Sequence, residues 1–284
     1  MANEVTQQQQ KEVTGLQLFN QTITSPKTQK YLSDVLGERK GSFVNNLTAL
    51  VANSAQLQEC VPLTVMFAAL KATALNLPLE NSLGFAYVLP YRDNKRNITV
   101  AQFQMGYKGY KQLALRSGMF SIIPNATDVK EGELKYRNRL TGECHFEFIE
   151  DDVERAKKKT IGYASYFRLL NGAASTYYMS VEEMEAHALR YSQTYRSKTD
   201  YIKKSSKWTT DFDDMAKKTV IKLNLSKNAP LSVEMQDAIR ADQSVQYEAN
   251  KYEYIDNDNS TQQILDAQKA QEISDMFNDY QTAE

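Results

Sequence analysis

Apolar positions along this chain keep a helical period at both ends and an alternating one in the middle. Between Thr28 and Lys40, Tyr31, Leu32, Val35 and Leu36 recur at helical spacing. Ser42 is placed to cap a second helix with Phe43, Leu47, Leu50 and Val51 on one face. Pro62 suits the first turn of a third, which the pattern carries to about Leu75. The apolar run Leu83 to Tyr91, the polar loop Arg92 to Asn97 and the alternating stretch Ile98 to Gln104 predict two strands and their turn. A helix from Tyr107 to Ser117 precedes a strand from Phe120 to Lys130 and strands on either side of Thr141-Gly142. Ile161 to Leu170 and Ala173 to Ser180 flank Asn171-Gly172, the strongest hairpin signal in the chain. Helical patterns return at Val181 to Tyr191, Asp211 to Lys227 and Val233 to Ala241. Thr210 is placed to cap the second of these, and Asp211, Asp213 and Asp214 suit the positive end of its dipole.

This order of elements predicts an α+β fold: an antiparallel β-meander or twisted sheet with an inserted helix, flanked by N-terminal and C-terminal helices. Residues 1–26 are polar and patternless and predict a flexible N-terminal segment, with the core at 27–241. Residues 242–260 read as an acidic linker. Residues 261–284 form a small C-terminal segment in which Ile273, Met276, Phe277 and Tyr280 share one stripe. No run of eighteen apolar residues and no apolar signal core is present, so a cytoplasmic protein without membrane contact is expected. Cys60 and Cys144, far apart in sequence, are expected as free thiols.

Charge changes the picture. The whole chain carries −1, but residues 241–284 hold ten acidic residues against two basic ones, a net of −8. The first 240 residues therefore carry 32 basic and 25 acidic side chains, a net of +7. A basic body with an acidic tail points toward nucleic acid.

Several chemistries lack their signatures. There is no G-x-x-x-x-G-K-[ST], which argues against a helicase or an ATP-driven recombinase. His145 and His187 are the only histidines, and neither pairs with a cysteine at zinc-finger spacing. Glu150-Asp151-Asp152 is the acidic cluster from which a magnesium-dependent nuclease would be built, but three consecutive residues do not easily converge on one metal. An exposed loop after a strand is the better reading. Gly106-Tyr107-Lys108-Gly109 matches the GXXG of KH domains, a weak four-residue pattern that here follows a strand rather than a helix.

Two basic, aromatic stretches remain. In the first, Lys108, Gln112 and Arg116 fall at i, i+4 and i+8 of the predicted helix, and Lys111 flanks them. Tyr110, Leu113, Ala114 and Ser117 take the opposite, core-facing side. The glycines at the start of the stripe are expected to leave backbone N–H groups open to an anion. Gln104 and Tyr107 complete this set. The second stretch runs from Arg190 to Lys227 and holds ten basic residues against four acids. Its candidates for DNA contact are Arg190, Arg196, Lys198, Lys203, Lys204, Lys207, Lys217, Lys218 and Lys222. Ser192 to Thr209 reads as a loop that orders on binding, ending at Trp208, either a stacking platform or, by its place before a helix, a core anchor. Cations that track phosphates and aromatic faces that meet bases are what single-strand binding requires.

At these residues the chain resembles the RecT family of phage-derived single-strand annealing proteins. The stretches that carry the likeness are Leu83-Gly84-Phe85-Ala86-Tyr87-Val88-Leu89-Pro90-Tyr91, Phe103 to Lys111 continuing through Leu115-Arg116-Ser117-Gly118, and Trp208-Thr209-Thr210-Asp211 with Met215, Lys217, Lys218 and Thr219. With Pro62 and Leu75-Asn76-Leu77-Pro78, the likeness covers about residues 40–240. It implies ATP-independent annealing of complementary strands in phage-type recombination, on a core distantly like that of Red-beta. It further implies assembly into rings or filaments on single-stranded DNA and annealed duplex. The implied partners are a 5′→3′ exonuclease or the host single-strand binding protein, recruited by the C-terminal region. No catalytic residue and no cofactor is expected, magnesium acting only through the DNA. A passive strand-coating protein is the alternative reading.

Overall fold

Thr14 begins a helix with a capping box: its hydroxyl accepts the Gln17 amide at 3.3 Å, and the Gln17 side chain accepts the Thr14 amide at 3.0 Å. The structure, a computed structural model, describes residues 14–249 and 251–254. The helices α1 (Gly15–Thr24), α2 (Pro26–Leu36), α3 (Lys40–Ala52), α4 (Ala55–Gln58) and α5 (Pro62–Ala74) come first. There follow β1 (Ala86–Asp93), β2 (Ile98–Met105), α6 (Tyr107–Ser117), β3 (Phe120–Lys130), β4 (Leu134–Arg137), β5 (Cys144–Phe146) and α7 (Asp152–Lys157). The remainder is β6 (Thr160–Leu169), β7 (Ala174–Ser180), α8 (Val181–Tyr191), α9 (Asp200–Ser205), α10 (Lys207–Thr210), α11 (Phe212–Asn228), α12 (Val233–Ala241), β8 (Val245–Glu248) and β9 (Lys251–Glu253). The class is α+β, with small antiparallel sheets.

Two compact units share these elements. Among the described residues the first runs to Gly109 and takes in Asp237–Glu253; the second is Tyr110–Gln236 with Tyr254. In the first, α5 is the central helix, with every residue from Thr64 to Leu70 buried. Its small residues Ala68, Ala69 and Ala72 let it lie close to its neighbours, and Thr64 stitches it to β2 by accepting the Ala101 amide at 2.9 Å. β1 and β2 pair in unbroken register from Ala86↔Met105 to Asp93↔Ile98. At their turn the Asp93 carboxylate, 1% exposed, accepts the Lys95 and Arg96 amides, the Arg96 guanidinium at 2.9 Å and the Tyr247 hydroxyl at 3.0 Å. Arg96 also grips Glu253 with both ends of its fork, at 2.8 and 3.0 Å. Burial alone would raise the Asp93 carboxyl, but these donors outweigh it and hold it below the usual range.

In the second unit, β3, β6 and β7 form an antiparallel sheet in that order. Alternation along its strands splits two cores. Tyr163 and Met179 join Met184 and Ala188 of α8, Trp208, and Ala216 and Val220 of α11 on one face. Their sequence neighbours Ala164 and Tyr178 pack against Leu134, Cys144 and Phe146 of the β4–β5 hairpin on the other. Asn224 of α11, fully buried, accepts the Ser175 hydroxyl at 2.8 Å and donates to the Ser165 carbonyl at 3.2 Å, which fixes the helix on β6 and β7. The hydroxyl of Tyr163 donates to Asp213 in the first turn of α11.

The structure departs from the sequence reading in several places. Residues 14–26 are helical rather than flexible, because of the Thr14 and Ser25 caps; residues 1–13 lie outside the described residues. The expected core at 27–241 is divided between the two units. The start of the expected linker is folded: Asp242, Ser244 and Val245 are buried and β8 pairs with β9, while 255–284 lie outside the described residues. The meander is broken into separate sheets, with the β4–β5 hairpin inserted between β3 and β6. Finally, two caps move. α3 starts at Lys40, continuing the tight turn Gly37–Arg39, so Ser42 lies inside it. Thr210 ends α10, and Asp211 stands at the N-cap of α11 with the Thr210 hydroxyl donated to its carboxylate at 2.6 Å.

Candidate nucleic-acid interface

α6 takes the predicted faces. Tyr110, Leu113 and Ala114 are buried, while Lys108 and Arg116 are exposed and Tyr107, Lys111 and Gln112 half-buried. Gln104, in β2, is half-buried with its amide 3.5 Å from Gln102. The glycines before the stripe do something other than bind an anion. The Gly106 amide donates to the Phe85 carbonyl at 2.8 Å, and the Gly109 amide to the Gly106 carbonyl at 3.1 Å. A Cβ at Gly106 would sit 2.0 Å from the Gly84 carbonyl oxygen, and one at Gly109 would sit 2.2 Å from that of Phe85. These residues are glycine so that the start of α6 presses against the 84–85 backbone. Gly109→Ala is therefore expected to cost about 1–3 kcal/mol through forced backbone movement, read as a lowered urea midpoint; an unchanged midpoint would reject the steric account.

The second basic group is built by α8 and α11. Arg190 near the end of α8, and Lys222 and Lys227 of α11, all act on the His187 imidazole, which burial first and then these three charges hold down at about 4. His187 packs against the Tyr191 ring at 4.6 Å and the Trp208 ring at 6.3 Å. Arg190 lies over Tyr191 at 5.3 Å, and the Arg196 guanidinium donates to the Arg190 carbonyl at 3.3 Å. Lys227 reaches the Tyr177 hydroxyl of β7 at 2.9 Å. Lys217, Lys218 and Lys222 are half-buried along the same helix. Lys111 of α6 donates to Asn125 of β3 at 3.3 Å. Lys111 thus reaches β3, one edge strand of the three-stranded sheet, and Lys227 at the C-terminal end of α11 reaches β7, the other.

The stretch 192–209, read as a loop, contains α9 and α10. Trp208 is 6% exposed and belongs to the core. Lys198, Lys203 and Lys204 are exposed, Lys203 lying 5.5 Å over the Tyr195 ring, whereas Lys207 is drawn into an ion pair with Asp211 at 2.8 Å.

An open cleft of about 650 Å³, lined by Arg137, Arg139, Thr141, Tyr177, Glu183 and Asn228, runs between the β4–β5 turn and β7. Sequence reasoning found that turn through Thr141-Gly142 but did not count the two arginines it carries. Asp151, from the acidic cluster, caps α7 by accepting the Val153 amide at 2.8 Å and the Glu154 amide at 3.2 Å. Among the described residues no three His, Cys, Asp or Glu side chains gather as a metal-binding group. Cys60 and Cys144 are free thiols, and burial pushes the Cys60 thiol up to about 12. Among the described residues no helix is long and apolar enough to cross a membrane.

A sequence model of the RecT family matches residues 41–258. The chain belongs to the RecT family. Uncharacterized protein YqaK of Bacillus subtilis (strain 168) is 37% identical over 256 residues, 88% of this chain and 83% of that protein. Protein RecT of Escherichia coli (strain K12) is 27% identical over 236 residues, 78% of each chain. The RecT match takes in α6, α8 and α11 with all their basic groups, and extends through the β8–β9 hairpin. Membership places the chain among the proteins of phage-type single-strand annealing in DNA recombination.

Proposed function

We propose that the chain anneals complementary DNA strands without ATP by gripping their phosphates and leaving their bases free. The observation that carries this is the placement of Lys217, Lys218, Lys222 and Lys227 in sequence along α11 after its two acidic first-turn residues, with Arg190 exposed in the last turn of α8. Two strands of like charge approach only when their phosphates are neutralised. Contacts to the backbone set position without reading sequence, as annealing of any pair of strands requires. Base pairing supplies the driving free energy. Lys108, Lys111, Gln112 and Arg116 of α6, with Gln104 and Tyr107 beside them, form a second backbone contact in this reading. Lys198, Lys203, Lys204, Lys217 and Lys218 extend the first.

Continuous coverage of a strand calls for subunits side by side, hence a ring or filament of this chain. The C-terminal segment 261–284 recruits an exonuclease or a single-strand binding protein, and magnesium acts only through the DNA. The decisive assay pairs complementary oligonucleotides with and without ATP and magnesium. Acceleration in all conditions is expected. Slowed pairing would make the protein a passive coat, and degradation with magnesium would make it a nuclease.

A further inference from the structure

α9 folds without burying any of its residues. Tyr201 is 82% exposed and Ile202 40%. The segment is nevertheless held. The Lys203 amide donates to the Thr199 carbonyl at 3.0 Å, and the Thr209 hydroxyl to the Lys203 carbonyl at 2.6 Å. The Thr194 hydroxyl donates to that of Ser206 at 3.1 Å, and Trp208 packs edge-on against Phe212 with ring centroids 5.6 Å apart. A helix this short has little stability of its own, so the core anchors its C-terminal end and its side chains project outward. Those side chains are nearly of one sign: Lys198, Lys203, Lys204 and Lys207 are exposed, with Asp200 the sole acid between the first and last. Lys204 follows Tyr201 by three residues and lies beside it on the helix. A single exposed apolar side chain is ordinary. A tyrosine among lysines on an anchored arm is a different arrangement, because stacking on a base costs its ring few torsions and every base offers a π-face.

We propose that Tyr201 is a base-stacking platform of the DNA-binding surface, with Lys198 and Lys204 holding the flanking phosphates. This rests on the reading that the chain binds single-stranded DNA. Trp208, the more obvious platform in sequence, is closed off in the core. Stacking covers the face of a base and leaves its pairing edge open, so the contact is compatible with annealing.

The test uses the full chain with Y201A, Y201F and Y201W, an oligo(dT) of about thirty nucleotides, and an abasic phosphodiester of the same length. Y201A is expected to weaken oligo(dT) binding about tenfold, with the salt slope and the abasic affinity unchanged, and Y201F to bind as the unaltered chain does. Oligo(dT), but not the abasic polymer, should quench the added emission of Y201W, since Trp208 contributes only a buried background. Because Tyr201 buries little, Y201A should also keep the thermal midpoint. The proposal is overturned if Y201A binds oligo(dT) normally or loses both polymers equally. It is overturned as well if Y201W emission stays still while a labelled oligonucleotide reports binding. Lost self-association with unchanged affinity would instead make Tyr201 a contact between copies. Failure of the unaltered chain to bind oligo(dT) would overturn the parent reading and this one with it.

Discussion

Replacing Lys222 and Lys227 together by alanine is expected to weaken single-strand binding about thirtyfold, at about 1 kcal/mol for each lost phosphate contact. The slope of log affinity against log salt should fall by about 1.4, since each neutralised phosphate of a single strand contributes about 0.7. A third readout ties the loss to this surface. His187 sits at about 4 through burial and the charges of Lys222, Arg190 and Lys227. Removing two of the three charges should move it upward, toward 6.5, in an NMR titration, leaving a residue of depression from burial and Arg190. The sign for stability follows. A depressed histidine contributes stability that is present above pH 6.5 and is lost as pH falls from there through about 4. The double variant should therefore lose less stability on acidification than the unaltered chain. Binding and salt slope unchanged by the substitutions would remove the α8–α11 surface from the DNA path.

What was legible in the sequence was local. Pro62 opens α5 as its ring geometry suggests, and Gly172 turns between β6 and β7 with φ of 89°, as Asn171-Gly172 predicts. The period of α6 told its core side, Tyr110, Leu113 and Ala114, from its polar side. Other features depend on partners that no window contains. Arg96 lies in the polar β1–β2 turn, yet it pairs with Glu253, 157 residues away, and so draws part of the expected linker into the fold. Gly106 and Gly109 matched an anion-binding pattern, but the 84–85 backbone they press against decides their role. The Thr14 capping box was within reach, since Thr14-Gly15-Leu16-Gln17 is its pattern; the polar residues around it hid it. For the interface, charge counting marks two stretches by their sign alone. It did not tell Lys222 and Lys227, which act on one imidazole, from Lys207, which is held by Asp211.

Arg155→Ala is expected to destabilise the second unit by about 3–5 kcal/mol at neutral pH, the usual cost of orphaning a buried charge. Glu133 is 0% exposed and receives the Arg155 guanidinium at 2.6 Å on one oxygen and 3.2 Å on the other. The same guanidinium donates to the Asp128 carbonyl at 2.7 Å, while Lys130 pairs with the Asp128 carboxylate at 3.0 Å. Burial alone would raise both carboxyls; the hydrogen bonds and charges of Arg155 and Lys130 outweigh it and hold both below their ordinary values. Carboxyls so depressed contribute stability that is present above the ordinary carboxylate range and lost as pH falls through their folded values. Without Arg155 the Glu133 carboxyl keeps only the Lys130 and Ile149 amides, and desolvation pushes it upward. The variant should then gain stability on acidification where the unaltered chain loses it, so their urea midpoints should converge as pH falls. Arg155→Lys, which keeps the charge but not the fork, is expected to fall between them. Equal midpoints at neutral pH would mean that the network contributes no more than a solvent-exposed ion pair does.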